Sequence, residues 1–201
     1  MTEKFLDRIY AANDQDAINS LYDEWSATYE AEISANGYAT PARCAEALAA
    51  YMPDKTTPVL DFGCGTGLSG MALRLAGFEV IDGVDLSPQM IAVAAEKGIY
   101  RTLNPLAPSD PVPQGYALMS AVGVIGPGAA PITVLDSLLH ALLPEGKLVF
   151  SLNERALADP GNTGMLNEWL DCGAARLLFA EDGPHLPGMD LKATVYVVEK
   201  S

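Results

Sequence analysis

Val59-Leu60-Asp61-Phe62-Gly63-Cys64-Gly65-Thr66-Gly67 is the stretch on which the fold turns. An apolar run carrying one acid passes into glycines at alternate positions. Glycine lacks a Cβ, so the chain can turn tightly there and bring bare backbone against a ligand. Leu68, Met71, Ala72 and Leu75 follow at i, i+3, i+4 and i+7, the apolar stripe of a helix. The local reading is strand, glycine loop, helix, and the helix begins with unpaired N–H groups that can meet a polar ligand.

Downstream, the alternation continues. Gly77 closes that helix, and Phe78–Asp85 reads as a second strand. Ser87 is the N-cap and Pro88 the first residue of a helix that stops at Lys97-Gly98. Ile99–Leu103 is a short third strand, Pro105–Gln114 a proline-rich loop without apolar period, and Tyr116–Ile125 a fourth strand. Ile132, Leu135, Leu139 and Leu142 define a helix, and Lys147–Leu152 a fifth strand. Met165, Leu166, Trp169 and Leu170 mark a helix capped by Asn162 or Thr163. Arg176–Ala180 and Lys192–Val198 are strands joined by a turn-rich loop, Glu181–Asp190, and with no helix between them they should pair antiparallel. The pattern predicts an α/β fold: a doubly wound, seven-stranded, mostly parallel sheet with an antiparallel last strand.

Upstream, residues 3–35 read as helical. Tyr22, Trp25 and Tyr29 lie at i, i+3 and i+7 on one face, which either packs on the core or closes as a lid over a ligand. Asn36-Gly37 breaks the helix, and Thr40 reads as the N-cap of the next, with Pro41 behind it. One domain over 1–201 is expected, with an N-terminal helical lid at 1–40 and an α/β core at 41–201.

The net charge of −14 argues against a nucleic-acid partner and an anionic membrane surface, since both require basic patches. No apolar run is long enough to span a bilayer, and the N-terminus shows no basic-then-apolar leader. Cys44, Cys64 and Cys172 have no metal-ligand spacing, so no metal is expected and a reduced, cytoplasmic setting fits. Cys64 reads as a small residue suited to a tight loop.

Gly65-x-Gly67-x-x-Gly70 matches a dinucleotide fingerprint formally. Asp61 opposes it, because a carboxylate there repels a pyrophosphate and suits an ammonium. Asp61-x-Gly63-x-Gly65-x-Gly67 resembles the first motif of class I S-adenosylmethionine-dependent methyltransferases. Asp85-Leu86-Ser87-Pro88-Gln89-Met90 fits the same family. Taken with Gly83, Lys97-Gly98-Ile99-Tyr100, the Tyr22–Tyr29 segment and Gly123-Val124, the chain is similar to the methyltransferase-like family of the Williams–Beuren syndrome region. The resemblance spans roughly residues 15 to 155.

What the resemblance implies is a Rossmann-like methyltransferase fold with S-adenosyl-L-methionine as cofactor. Asp61 would take the methionyl ammonium, directly or through water, while Gly63, Cys64, Gly65 and Gly67 pass the backbone beneath the ribose. Asp85, 20 residues after Gly65, would fix the ribose hydroxyls, with Asp82 as competitor. Leu86 would lie against adenine, and Met90 belongs to the same motif. Asn104, followed by Pro105, stands where relatives carry Asp, and would read adenine through its carbonyl. Ser120 and Ala121 sit where the fourth strand approaches the sulfonium and the acceptor, and Tyr22, Trp25 and Tyr29 would close over the cofactor.

The implied reaction is in-line methyl transfer to a small-molecule acceptor, with no catalytic residue designated. Gly123-Val124-Ile125-Gly126-Pro127-Gly128 has no ionisable group where relatives often carry a polar residue or His. Asn153, Glu154 and Arg155 either reach the active-site side or form a solvated loop. His140 reads as a surface or packing residue, and His185 as a loop residue that either overhangs the substrate or does not. The alternatives are a non-catalytic S-adenosylmethionine-binding module and an NAD-dependent oxidoreductase. The latter predicts a nicotinamide-binding second half and a proton-transfer residue such as a Tyr-x-x-x-Lys pair or a placed His.

Overall fold

The computed structural model describes Leu21 and residues 28–201; Tyr22 and Trp25 lie outside them. The helices are α1 (Tyr29–Ala35), α2 (Thr40–Tyr51), α3 (Leu68–Leu75), α4 (Pro88–Glu96), α5 (Thr133–Ala141), α6 (Glu154–Leu157) and α7 (Pro160–Asp171). The strands are β1 (Val59–Phe62), β2 (Ile81–Asp85), β3 (Thr102–Pro105), β4 (Leu118–Ile125), β5 (Lys147–Asn153), β6 (Ala175–Leu186) and β7 (Leu191–Lys200). They form one sheet in the order β3-β2-β1-β4-β5-β7-β6. Pairing is parallel from β3 to β5, and β7 runs antiparallel between β5 and β6. The doubly wound reading with an antiparallel last strand is the observed topology.

Strand alternation builds two cores. Leu60, Met119, Leu148 and Phe150 point to the face covered by Leu135, Leu138 and Leu139 of α5 and Leu166 of α7. Their sequence neighbours Val59, Leu118 and Val149 point to the opposite face, against Cys44 and Leu48 of α2 and Leu73 of α3. Both faces are covered, so the central strands are largely apolar on both sides, as a parallel sheet requires. No described helix is long and apolar enough to cross a membrane.

Several boundaries differ from the sequence reading. β6 continues to Leu186, so residues 181–186 are strand and the turn shrinks to a 3-10 segment, Pro187–Met189. Gly183-Pro184 looked like a loop signal. β6 is an edge strand, where a proline's missing N–H costs no ladder bond, and bulges at Leu177/Phe179 and Pro184/Leu186 absorb the irregularity. β3, the other edge, is shifted to Thr102–Pro105, which puts Asn104 and Pro105 in a strand. α7 starts at Pro160 with Asp159 as N-cap, accepting from the Gly161 N–H at 2.9 Å. Asn153 caps the short α6 through its Oδ1, 2.9 Å from the Ala156 N–H, so it is engaged in the scaffold.

Thr40 is the first residue of α2 and caps nothing. Its hydroxyl pairs with His185 Nδ1 at 2.8 Å, tying α2 to β6. His185 is buried in that contact. Burial, with Arg43 beside it, lowers its pKa from 6.5 to about 4. The unfolded chain therefore takes up this proton first, so the neutral form's stabilisation is complete above about pH 6.5 and is lost as pH falls toward 4. Up to about 3 kcal/mol should disappear over that window. Denaturant titrations of wild type and His185→Asn at pH 7 and pH 4.5 test this: the pH-dependent loss should be smaller in the variant, and equal slopes would contradict it.

Candidate functional site

The strand order reverses between β1 and β4, and in open α/β sheets the crevice outside the carboxyl ends at such a point binds ligands. A cavity of about 690 Å³ occupies it. The glycine loop forms one wall. Gly63, Gly65 and Gly67 all adopt positive φ, at 69°, 52° and 94°. The N–H groups of Gly63 and Cys64 both donate to the Val84 carbonyl, at 2.8 and 3.0 Å, folding the loop over the end of β2. A Cβ at Gly65 would meet nothing within 4 Å, so that edge of the loop is open.

Asp85 closes the arrangement. Its Oδ2 accepts from the Gly65 N–H at 2.8 Å and its Oδ1 from the Ser87 N–H at 2.9 Å. One carboxylate thus clamps the loops after β1 and β2 together while lining the cavity. Ser87 also caps α4, accepting from the Met90 N–H at 3.1 Å. Asp82 is committed elsewhere. It accepts from Arg101, from the Thr102 hydroxyl at 2.7 Å and from the Tyr116 hydroxyl at 2.8 Å, pinning the strands around it. Burial pushes its carboxyl up, but these donors outweigh it and hold the group below the usual range.

Of the residues expected at the ligand, Tyr29, Gly63, Gly65, Asp85, Leu86 and Met90 line the cavity. Asp61 does not. It is fully buried beneath the loop, with Oδ2 accepting from the hydroxyls of Ser69 (2.7 Å) and Tyr100 (2.8 Å) and Oδ1 from Ser120 (2.7 Å). Burial raises its pKa and the three hydroxyls oppose the rise. In this packing the carboxylate lies under the loop and off the cavity wall, where it holds the loop's underside. Ser120 faces inward for the same reason, and Ala121 is buried in the α5-side core. Gly67 points at Tyr100 and Lys97. Asn104 and Pro105 are exposed on the edge strand, and the wall next to them is made instead by Leu106, Ala107 and Pro108.

Cys64 is also turned away from the cavity wall, its sulfur close to Gly83. Burial, with Asp61 and Asp85 nearby, pushes its thiol far above the usual range, and burial pushes Cys44 up to about 12. Cys172 alone of the three is exposed. Iodoacetamide should therefore modify only Cys172 in the native protein, read by intact-mass spectrometry and peptide mapping; native labelling of Cys64 would contradict the packing.

Sequence reasoning missed Tyr100 as a structural centre. Its hydroxyl supports Asp61, and its ring runs beneath Gly67, Gly70 and Gly83, where added Cβ atoms would meet it at 3.2, 2.2 and 3.0 Å. The spacing of three glycines on two elements carries no linear signal. It also missed the far wall, Leu106–Gln114 against α5. His140 lies at that end, edge-on to Trp169 with centroids 5.0 Å apart and 3.6 Å from Asp136. Thr66 is buried in the loop, and its Oγ1 has no hydrogen-bond partner among the described residues. Among the described residues the cavity wall carries two carboxylates, Asp85 and Asp110, and no lysine or arginine. No group of His, Cys, Asp and Glu among them is arranged to hold a metal.

Comparison with known proteins identifies similar chains. Methyltransferase-like protein 27 from Homo sapiens is 30% identical over 132 residues, 63% of this chain and 54% of the relative. A ribosomal protein L11 methyltransferase from Vibrio vulnificus (strain CMCP6) is 32% identical over 144 residues, 69% of this chain and 45% of the relative. The chain thus spans about half the length of these curated relatives. Among solved structures, the [4+2]-cyclase SpnF matches with a TM-score of 0.67 at 17% identity, covering 94% of this chain and 97% of that one, which shows a shared fold. A family model described as a methyltransferase domain matches residues 37–191, more than half of the sequence, and the chain accordingly belongs to the methyltransferase domain family.

Proposed function

We propose that this chain binds S-adenosylmethionine in the β1/β4 crevice and catalyses transfer of its methyl group to a small-molecule acceptor. The observation that carries this is the charge of the wall, two carboxylates and no lysine or arginine among the described residues. A dinucleotide would bring a pyrophosphate to acids with no cation to meet it. A sulfonium and an ammonium suit such a wall. The loop fits the same ligand: its open edge at Gly65, on the cavity wall, leaves room for a ribose.

Asp85 would hold the ribose hydroxyls, Gly63 and Gly65 would pass beneath the sugar, and Leu86 with Leu106 and Ala107 would flank the base. The amino-acid end would rest on the glycine loop, reaching Asp61 only through the groups that cover it. When bound, the cofactor supplies an activated methyl group whose bond to sulfur breaks with its electrons going to sulfur as the acceptor's lone pair forms the new bond. The chain's own task is to orient the acceptor and exclude water, which in well-aligned cases is worth about 7–11 kcal/mol. Residues 1–40 would act as a lid, with Tyr29 already on the cavity wall. Three free thiols suit a cytoplasmic setting.

The test pairs S-adenosylmethionine with two acceptor sets, a panel of small alcohols, phenols, thiols and amines, and ribosomal protein L11. Stoichiometric S-adenosylhomocysteine and methylated small product support the reading. Methylation of L11 alone would move the acceptor to a protein, and cofactor binding without product from either set would favour a non-catalytic binding module.

A further inference from the structure

We infer that Glu30 and Lys97 are positioning residues: their ion pair holds Tyr29 against the crevice and sets the rates at which the cofactor enters and its product leaves. This rests on the S-adenosylmethionine reading above. Tyr29 is the first residue of α1 and lines the cavity. The next residue, Glu30, accepts from Lys97 Nζ at 2.5 Å through its Oε1. The two come from stretches far apart in the chain. Glu30 follows the Tyr22–Tyr29 segment, and Lys97 opens Lys97-Gly98-Ile99-Tyr100.

Lys97 is fixed on its own side before it meets Glu30. It ends α4, the helix that carries Met90 on the cavity wall. Its stem lies against the glycine loop, where a Cβ at Gly67 would meet Lys97 Cδ at 3.3 Å and the Tyr100 ring at 3.2 Å. The Lys97 side chain is 13% exposed and that of Glu30 37%. Solvent and salt therefore screen this pair less than a fully exposed one, and packing of the lysine stem has already restricted one of the two long side chains.

The other end of α1 is anchored elsewhere. Ile33 is buried with Leu186, Tyr29 packs at the edge of that cluster, and the Gly188 N–H donates to the Asn36 carbonyl at 3.0 Å. This end is thus fixed to the connection between β6 and β7. A helix of seven residues has little stability of its own in water, so the contacts at its two ends decide where it lies. Tyr29 stands at the end that the Glu30–Lys97 pair holds. When the pair opens, that end swings out about the Ile33 anchor and the crevice loses its Tyr29 wall. The same opening precedes entry and release, so the pair slows both. Breaking it raises both rates and moves Kd less than either, whereas loss of a direct ligand contact raises release alone.

The test is surface plasmon resonance of the full chain with S-adenosylhomocysteine, on wild type, Lys97→Met, Glu30→Gln and the double variant. Methionine keeps a stem against Gly67 and removes the charge; glutamine keeps the shape of Glu30. Each single substitution should raise the release rate about fivefold, with association rising too and Kd moving less than either rate. The double variant should lie within about twofold of either single one, because the second change has no partner left to lose. On a Tyr29→Ala background, Lys97→Met should alter release by less than about twofold, since the wall it positions is gone. A pair serving stability alone would lower Tm and move neither rate. Lys192→Met removes a cation from the exposed pair with Asp182 at 3.8 Å and should leave both rates as in wild type. Wild-type release rates in both single variants, faster release without faster association, or additive effects in the double variant would each overturn the inference and leave the cofactor reading standing. No binding of S-adenosylhomocysteine by wild type would overturn that reading and this inference with it.

Discussion

Gly70→Ala should lose about 3–5 kcal/mol of stability, the sum of overpacking and a broken buried hydrogen bond to a carboxylate. The added methyl would lie 2.2 Å from the Tyr100 hydroxyl oxygen and 2.4 Å from its Cζ. The ring cannot withdraw, since Gly67 and Gly83 border it on other sides and its hydroxyl donates to Asp61. Expelling it would leave the buried Asp61 carboxylate with Ser69 and Ser120 alone. For a chain of this length the loss corresponds to a fall in Tm of roughly 10 °C. Tyr100→Phe removes only the hydrogen bond and should lose about 1.5–3 kcal/mol. In a double-mutant cycle with Tyr100→Ala, the cost of Gly70→Ala should largely vanish, because the clash has no second partner. A Gly70→Ala protein melting within 2 °C of wild type would show that Tyr100 is not the keystone of the loop.

Asp85→Ala should weaken S-adenosylhomocysteine binding by on the order of 100-fold, the effect of losing charge-assisted hydrogen bonds to two hydroxyls. The same change frees the N–H groups of Gly65 and Ser87, so the loops after β1 and β2 also lose their clamp. Asp85→Asn retains one acceptor and should fall between wild type and alanine. Asp82→Asn is the control. Its partners are Arg101, Thr102 and Tyr116, so it should destabilise the fold while leaving the affinity of the remaining folded protein intact. Equal losses of affinity at positions 82 and 85 would remove the basis for placing the ribose at Asp85.

The fold was legible because strand and helix periodicities agree with their punctuation. Ser87-Pro88 starts a helix as its residue types require, and the apolar runs of β1, β4 and β5 are buried on both faces. What failed failed at edges. Pro105 and Pro184 read as loop residues, yet each sits on an outer strand, where the missing N–H is harmless. In the site, glycines and Asp85 were readable because their chemistry follows from backbone freedom and charge. Asp61 has a further role that its distance along the chain from Gly63 does not reveal: three hydroxyls from Ser69, Tyr100 and Ser120 converge on it from separate elements. Gly70 completes a dinucleotide fingerprint in sequence, and in space it is the room that Tyr100 occupies. Convergence of this kind has no linear period.

Calorimetric titration of the purified protein with S-adenosylmethionine, S-adenosylhomocysteine and NAD, run beside Asp85→Ala, tests the central claim most directly. The expected result is saturable binding of both adenosyl-sulfur ligands, lost in the variant, and no heat from NAD, whose pyrophosphate meets a wall with two carboxylates and no lysine or arginine among the described residues. Binding of NAD with neither adenosyl-sulfur ligand bound would contradict it, and would make Gly65-x-Gly67-x-x-Gly70 a dinucleotide loop after all.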